Sequence, residues 1–272
     1  MTQLEIIKSL FQNSNELSIK DISSITWIKE PNIRRILGQW TISWIFKRID
    51  KWVYSLQCWD TTIWFINWDS FDVVKNLKTK FDLVFLDIPY KTIAVTWGNR
   101  WVKYDLISPD QFNILLNDLK SCIKEDTYIV HCFSNAPSWM KQMLQYNNKL
   151  DSNWFKLISE NTWTKLFSNG NIATNMRGNQ MPPEWINIYS LSGKAIDFKK
   201  NWVLPKTSIA SQKPFEALKD IIESLTSKWS WILDPFAWSW ITWFVSLLLW
   251  RNCIMIEKSN DRFYNEILIP NI

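Results

Sequence analysis

Residues 232–250 decide how this chain is interpreted, and they read ILDPFAWSWITWFVSLLLW. A short apolar strand leads into Asp234-Pro235-Phe236, an apolar helix follows, and a second strand ends at Glu257. This order of strand, turn, helix and strand is typical of a nucleotide-cofactor site, where a tight backbone loop lets the ligand approach. Such loops need glycine, whereas tryptophan stands at the places where glycine belongs, namely Trp238, Trp240 and Trp243.

The whole chain has the same imbalance. It contains 20 Trp and 5 Gly in 272 residues, although ordinary glycine usage of about 7% would give roughly 19. Trp52 and Trp68 stand in turn-like settings, Trp27 lies between two short helical patterns, and Trp250 follows an apolar run where helices end on glycine.

We interpret most of these residues as glycine in the organism. The codon UGA encodes glycine in some bacterial lineages and tryptophan in others, so translation with the wrong table produces this replacement. Trp163 and Trp185 lie where a true tryptophan is equally acceptable. The alternative is a tryptophan-rich protein that is real as printed.

Length and composition indicate one main domain with a small addition. No segment resembles a signal peptide or a membrane span, because the longest apolar run, near residues 244–249, is too short, and we expect a cytoplasmic protein. A net charge of +5 permits an acidic partner such as DNA. The scattered cysteines predict buried reduced thiols and no metal site: Cys58, Cys122, Cys132 and Cys253.

Residues 1–57 have the pattern of a separate small unit. Three short helical segments are followed by an alternating stretch around a turn at Asp50-Lys51-Trp52, which predicts a β-hairpin. This order resembles a winged helix-turn-helix with residues 33–37 on the recognition helix, where Arg34 and Arg35 are candidate DNA contacts. The alternative is a helical cap that packs on the main domain.

From residue 60 onward, strands and helices alternate, which predicts an α/β sheet. The apolar strand FDLVFL, residues 81–86, ends in Asp87-Ile88-Pro89-Tyr90. Ser108 is the predicted N-cap of the next helix. Residues 160–210 are polar apart from a strand in EWINIYSLS, and KPFEALKDIIESLTS, residues 213–227, is an amphipathic helix.

Three of these segments resemble motifs of the amino-group DNA methyltransferases, which methylate N6 of adenine or N4 of cytosine. DIPY resembles their Asp-Pro-Pro-Tyr signature, with Ile88 as a departure from proline. DPFAWSWITW, with glycine for tryptophan, resembles their S-adenosylmethionine loop, and SQKPFEALKDII, residues 211–222, resembles the helix before that loop. The order of catalytic, variable and cofactor segments is that of the β class.

The resemblance covers roughly residues 60–272 and implies a Rossmann-like mixed sheet. The domains implied are a winged-helix domain over 1–57 and a methyltransferase domain over 58–272, with a target-recognition region over about 135–210. The implied function is transfer of a methyl group from S-adenosylmethionine to N6 of adenine in double-stranded DNA. Aspartate at position 87 favours adenine by a family correlation that has exceptions, and cytosine-N4 methylation is the alternative.

In this reading Asp87 and the backbone carbonyl of Ile88 accept hydrogen bonds from the exocyclic amine, and Pro89 keeps the turn rigid. Tyr90 stacks on a base flipped from the duplex. Orientation of a weak nucleophile toward the sulfonium methyl is the source of catalysis, with no metal required.

The resemblance also assigns cofactor contacts. Phe236 packs against S-adenosylmethionine, and Asp234 anchors the loop or meets the ammonium group. Glu257 is expected to hold ribose hydroxyls. Lys213 and Pro214 match the start of the cofactor-adjacent helix. The remaining candidates belong to the loop and the helix after it: Ala237, Trp238, Ser239, Trp240 and Thr242.

Asn135 and the polar segment 161–180 lie where the family places target recognition, and the candidates for reading bases are Arg177, Asn179 and Gln180. We interpret His131 as a core histidine and Asp69 as a structural turn residue. A non-catalytic DNA-binding regulator on a decayed scaffold is the alternative from another class of function. A restriction endonuclease is a candidate partner, and the sequence determines neither that partner nor the oligomeric state.

Overall fold

The computed structural model describes residues 46–50, 53–58, 61–89, 95–97, 100–102, 107–134, 137–167, 169–174, 178–205, 213–237 and 241–258. The strands are β1 (Phe46–Asp50), β2 (Val53–Cys58), β3 (Thr61–Ile66), β4 (Phe81–Leu86), β5 (Val95–Trp97), β6 (Arg100–Val102), β7 (Ile123–Ser134), β8 (Lys156–Leu166), β9 (Glu184–Ser190), β10 (Asn201–Pro205), β11 (Trp231–Asp234) and β12 (Asn252–Ile256). The helices are α1 (Ser70–Val74), α2 (Pro109–Leu119), α3 (Pro137–Ser152), α4 (Phe215–Leu225) and α5 (Ile241–Leu248).

Ten strands form one mixed sheet in the order β1-β2-β3-β12-β11-β4-β7-β9-β8-β10, and β5 and β6 form a separate antiparallel pair. The central strands β3, β12, β11, β4 and β7 are parallel. Strand β9 runs antiparallel to β7 and β8, and β10 is parallel to β8. Strands β11 and β12 therefore lie between β3 and β4 at the centre of the sheet.

The parallel strands are buried on both faces, which explains their nearly continuous apolar sequences. In β4, Leu83 and Phe85 face one core, while Val84 and Leu86 face the other. Helix α4 packs in the first core through its apolar stripe, and α5 joins it there. Helices α2 and α3 pack in the second core. The arrangement is a sheet between two helical layers, which agrees with the predicted α/β sheet.

The hairpin predicted near Asp50 is present as the antiparallel pair β1 and β2. Strand β2 also pairs with β3, so the hairpin continues the large sheet. The three predicted helices before it, with Arg34 and Arg35, lie outside the described residues. The winged-helix domain and its boundary at residue 57 therefore stay predictions.

The predicted cap of α2 is confirmed. The Ser108 hydroxyl accepts a hydrogen bond from the Gln111 amide, and the Gln111 side chain accepts one from the Ser108 amide, which forms a capping box. The polar segment 160–210 differs from the expectation, because it contributes β8 and β10 to the sheet as well as the predicted β9. What extends from the sheet there is the connection between β8 and β9, residues 167–183.

Candidate active site

Polar residues collect at one edge of the sheet, where its central strands end. Because β3, β12, β11, β4 and β7 are parallel, their carboxyl ends meet at this edge. The antiparallel strand β9 begins there, since Glu184 is paired with Ser134 at the end of β7. Ligands of open α/β sheets bind at such an edge. The side chains brought to it are Asn67, Asp87, Glu184, Asp234 and Glu257.

Asp87 follows β4 and pairs with Lys213, the residue just before α4. The Lys213 ammonium nitrogen lies 2.5 Å from Asp87 Oδ2. Burial raises the pKa of Asp87, Lys213 opposes that shift, and the nearby Glu184 carboxylate adds to it, so the pKa stays above its usual value. The sequence predicted both residues in the site but did not predict that they contact each other.

Glu184 and Lys165 are functional candidates that the sequence reasoning missed. Lys165 Nζ donates to Glu184 Oε1, and Glu184 Oε2 lies 3.4 Å from Lys213 Nζ. Burial alone would raise the pKa of Glu184, but the two ammonium groups outweigh it and hold that pKa below its usual value. One signal was available in the sequence, because a glutamate that opens an otherwise apolar strand needs a cation if it is buried.

Asp234, at the end of β11, fixes the turn that follows. Its carboxylate accepts hydrogen bonds from the Phe236 amide at 3.1 Å and from the Thr242 hydroxyl in α5 at 2.6 Å. These are the contacts of a loop anchor, one of the two roles predicted for this residue. Burial raises the pKa of Asp234 to about 7, although both of these hydrogen bonds act in the opposite direction.

The start of the same turn is held by two more elements. The Ala237 amide donates to the Ile256 carbonyl at 3.0 Å, and the Ser70 hydroxyl donates to the Pro235 carbonyl. Phe236 packs against the second core. The remaining predicted loop residues, Trp238, Ser239 and Trp240, lie outside the described residues.

Glu257 directly follows β12 at this edge. Its amide donates to the Ile66 carbonyl at 3.0 Å, and its carbonyl accepts from the Asn67 side chain at 2.7 Å. Asp69 accepts from the Phe71 amide as the N-cap of α1 and pairs with Lys258 at 2.9 Å. These contacts agree with the structural role expected for Asp69.

Ile88 is buried in the second core, and the Pro89 carbonyl accepts from the Ile107 amide at 3.4 Å. A branched aliphatic side chain therefore fills the space at the position where proline was expected. Tyr90, the predicted stacking residue, lies outside the described residues.

Asn179 and Gln180 are exposed on the connection between β8 and β9. This connection doubles back on itself, since Thr174 pairs with Gln180 in an antiparallel bridge and the Met181 amide donates to the Ala173 carbonyl. Arg177 and Asn135 lie outside the described residues. The connection leaves the sheet beside Glu184, at the same edge as Asp87.

His131 is fully buried among aromatic rings, with its ring stacked against Phe112 at 5.8 Å between centroids. Burial lowers its pKa to about 3, so the ring is neutral, as expected of a core histidine.

Cys122, Cys132 and Cys253 are buried free thiols. Within the described ranges, no group of three or more His, Cys, Asp or Glu side chains could hold a metal ion, and no helix is long and apolar enough to cross a membrane.

No family model and no curated protein matches the sequence. Solved structures do resemble the fold. M1.HpyAVI in its complex with SAM is 19% identical, with a TM-score of 0.55, over 74% of this chain and 96% of that chain. The cytosine-N4-specific PvuII DNA methyltransferase is 14% identical, with a TM-score of 0.56, over 73% and 83%.

A putative DNA modification methylase from Thermus thermophilus, TTHA0409, complexed with S-adenosyl-L-methionine, is 14% identical, with a TM-score of 0.51, over 75% of this chain and 93% of that chain. At these identities the likeness shows the fold. This chain therefore has the mixed α/β fold that these three proteins share, and it spans most of the length of each.

Proposed function

We propose that this chain is an S-adenosylmethionine-dependent DNA methyltransferase that methylates N6 of adenine. One observation carries the proposal: Asp87 and the anchored turn after Asp234 stand at the ends of adjacent parallel strands, β4 and β11. A carboxylate that can accept a hydrogen bond from an amine therefore lies beside the loop proposed to hold the methyl donor. The fold shared with M1.HpyAVI and with PvuII DNA methyltransferase supports a DNA methyltransferase, and the choice of adenine over cytosine rests on Asp87.

The residues around the turn fit this cofactor. Asp234, Ser70 and Ala237 anchor the turn on three sides, so a loop that wraps a ligand is held at its base. Glu257 provides a carboxylate at the end of the next strand, where ribose hydroxyls would be held. When bound there, S-adenosylmethionine supplies an electrophilic methyl group on a sulfonium sulfur.

The chain's own residues would orient the base. An exocyclic amine is a weak nucleophile because its lone pair is delocalised into the ring. Asp87 and the carbonyl of Ile88 accept hydrogen bonds from this amine and draw its nitrogen toward sp³ geometry. Burial raises the pKa of Asp87 and Lys213 opposes that shift, so Lys213 favours the ionised carboxylate, and Tyr90 stacks on the extruded base.

DNA contacts belong to the same proposal. The connection between β8 and β9 leaves the sheet beside the site and exposes Asn179 and Gln180, whose amide side chains can read base edges. Arg177 is a further candidate DNA contact. Arg34 and Arg35 would contact DNA from the amino-terminal unit.

We also infer that most of the tryptophans are glycine in the organism. Within the described ranges, three residues other than glycine have positive φ, and all three are tryptophan: Trp154 at 72°, Trp229 at 71° and Trp250 at 60°. A bulky residue in this region is an outlier, with a cost of about 1–2 kcal/mol.

Two of these residues end helices in the way glycine does. After α5, the Trp250 amide donates to the Leu247 carbonyl and the Arg251 amide to the Ser246 carbonyl. After α3, the amides of Trp154 and Phe155 make the same two contacts with Asp151 and Leu150. This pair of bonds is the Schellman motif, whose left-handed residue is usually glycine.

Trp243 has no such conformational support, because it lies in α5 and packs against Phe65 in the core. Its assignment to glycine rests on the motif alone.

Mass spectrometry of peptides from the native organism tests the recoding inference directly. We expect glycine at positions 154, 229 and 250, and tryptophan at all three would contradict it.

The test of function uses two full-length chains, the printed form and a glycine form with Trp238→Gly, Trp240→Gly and Trp243→Gly. Each is incubated with S-adenosylmethionine and unmethylated DNA, which is then digested to nucleosides for mass spectrometry. We expect N6-methyladenine from the glycine form. N4-methylcytosine would move the target to cytosine, and a form that binds DNA but yields no methylated nucleoside would favour the regulator.

A further inference from the structure

Four side chains of alternating charge connect the sheet edge to α4. We call Lys165, Glu184, Lys213 and Asp87 the four-residue charge chain. Lys165 lies on β8, Glu184 opens β9, Lys213 precedes α4 and Asp87 follows β4. Lys165 pairs with Glu184 Oε1, Glu184 Oε2 lies 3.4 Å from Lys213 Nζ, and Lys213 Nζ lies 2.5 Å from Asp87 Oδ2.

All four side chains are largely removed from solvent. Their exposed fractions are 13% for Lys165, 6% for Glu184, 5% for Lys213 and 15% for Asp87. A buried charge is tolerated when an opposite charge compensates it, and the alternation gives each member such a partner. The inner members, Glu184 and Lys213, each contact two opposite charges.

The members of the four-residue charge chain make different contacts, and we assign them different roles from those contacts. We propose that Glu184 is a positioning residue for methyl transfer. It holds the Lys213 ammonium, which binds Oδ2 of Asp87. The carboxylate of Asp87 is thereby fixed with Oδ1 toward the substrate amine. Lys165 in turn fixes Glu184. This inference rests on the proposed function and assigns roles to two residues outside the recognised motifs.

A lysine ammonium is a compact charge on a flexible stem, so one carboxylate does not define its direction. Glu184 supplies a second carboxylate, and it stands on a strand, where side chains are held more accurately than on a loop. Lys165 lies on the adjacent strand of the same sheet, and its ammonium is also 4.8 Å from the Trp163 ring centroid. Both ends of the contact are therefore anchored in the sheet.

The pH dependence separates positioning from a purely structural role. Glu184 raises the pKa of Asp87, while Lys213 and Lys165 lower it. Loss of the Glu184 charge should therefore lower that pKa, so Asp87 stays ionised to lower pH. Among the residues that the structure describes, the titratable groups that act on Asp87 or are acted on by it are Lys213, Glu184, Lys165, Asp234 and Cys132.

The experiment measures methyl transfer to unmethylated DNA against pH in the full-length chain, in whichever form is active. Glu184→Gln is compared with Glu160→Gln, a matched change at an exposed glutamate of β8. We expect kcat to fall about 10- to 100-fold for Glu184→Gln, with its acid limb moved to lower pH, because a small misplacement of a reacting group has this effect. The KM for S-adenosylmethionine should stay within about twofold.

A folded Glu184→Gln protein with the parent kcat and the parent acid limb would overturn the inference. If that variant does not fold, Lys165→Met and Lys165→Arg decide. We expect a lower kcat for Lys165→Met and recovery in Lys165→Arg, and equal rates for both variants and the parent would overturn it. A parent chain that methylates no DNA in either form defeats the proposed function first, which is a different result.

Discussion

The ammonium nitrogen of Lys213 lies 2.5 Å from Oδ2 of Asp87, and this ion pair joins the start of α4 to the end of β4 across 126 residues of sequence. Asp87 is therefore not a surface turn carboxylate. Its usefulness as a hydrogen-bond acceptor depends on a cation from another part of the chain, and the first predictions follow from that dependence.

Replacing Lys213 by methionine should move the acid limb of kcat/KM for DNA methylation to higher pH. Lys213 lowers the pKa of Asp87, so its loss lets burial raise that pKa further, and the carboxylate is protonated earlier as pH falls. Lys219→Met, at an exposed lysine of α4, is the control. An acid limb that stays in place, in a folded variant, would contradict the assignment of Asp87.

Asp87→Asn should reduce methyl transfer by roughly 100-fold or more while the protein stays folded, because a neutral amide accepts a weaker hydrogen bond from the target amine. The assay counts labelled methyl groups in DNA, and calorimetry checks that S-adenosylmethionine still binds. Asp110→Asn, at a side chain that is 90% exposed, is the matched change. Activity in Asp87→Asn equal to that of the control would remove Asp87 from the mechanism.

The stability that the Asp234 carboxyl contributes should decrease as the pH rises from about 4 to about 7. Its pKa is near 3.8 in an unfolded chain and about 7 in the folded one, so the folded state binds the proton more tightly in this window. The stabilisation is complete below the unfolded pKa and is lost as pH rises through the folded one.

Urea unfolding of the parent and of Asp234→Asn at several pH values measures this. The parent's free energy of unfolding, relative to the variant, should fall by up to about 1.4 kcal/mol per pH unit across the window. Asp197→Asn, at an exposed position, should show no such trend. A constant difference between parent and Asp234→Asn would mean that the pKa of Asp234 is not raised.

Glu257→Gln should weaken S-adenosylmethionine binding by about 10- to 100-fold, since a hydrogen bond to a charged group contributes roughly 1.5–3 kcal/mol. Calorimetry on the glycine form, with Glu160→Gln as the comparison, provides the measurement. Unchanged affinity would mean that Glu257 does not bind the cofactor and is an ordinary residue at the end of a strand.

Trp154→Gly should raise the free energy of unfolding by roughly 1–2 kcal/mol, because it removes the strain of a bulky residue at φ 72°. Trp154 is 77% exposed, so little packing is lost. Trp163→Gly should instead lower stability by at least about 3 kcal/mol, because that indole is buried and donates to the Leu204 carbonyl. Loss of stability in Trp154→Gly would oppose the recoding inference.

Local patterns predicted the central fold well. The apolar run of β4 was recognised as a buried strand, and Ser108 and Gln111 lie at the spacing of a capping box, so both features are contained in a few consecutive residues. Strand β8 was missed because it carries polar residues. Asn161 and Ser159 are buried there, and their side chains bond the backbone of residues 198–200, which sequence pattern alone does not reveal.

The candidate site was predicted in part, because only some of its residues are recognisable from the local sequence pattern. Asp87, Asp234 and Glu257 end apolar strands, so their place at the sheet edge follows from the strand pattern. Glu184 and Lys165 could not be assigned, because their roles depend on contacts between β8, β9 and the residue before α4. Lys213 was proposed from its motif, and its contact with Asp87 was not predicted.

Trp154, the residue with positive φ after α3, has a consequence for the organisms in which the gene can be expressed. If codon 154 is UGA, a ribosome in a host that treats UGA as a stop would release the chain at Asn153 or earlier. Such a fragment lacks β8 to β12, and with them three members of the charge chain and the turn after β11. A neighbouring species that acquired the gene would not make the full-length chain, so the altered code would confine the proposed DNA methylation to its own lineage.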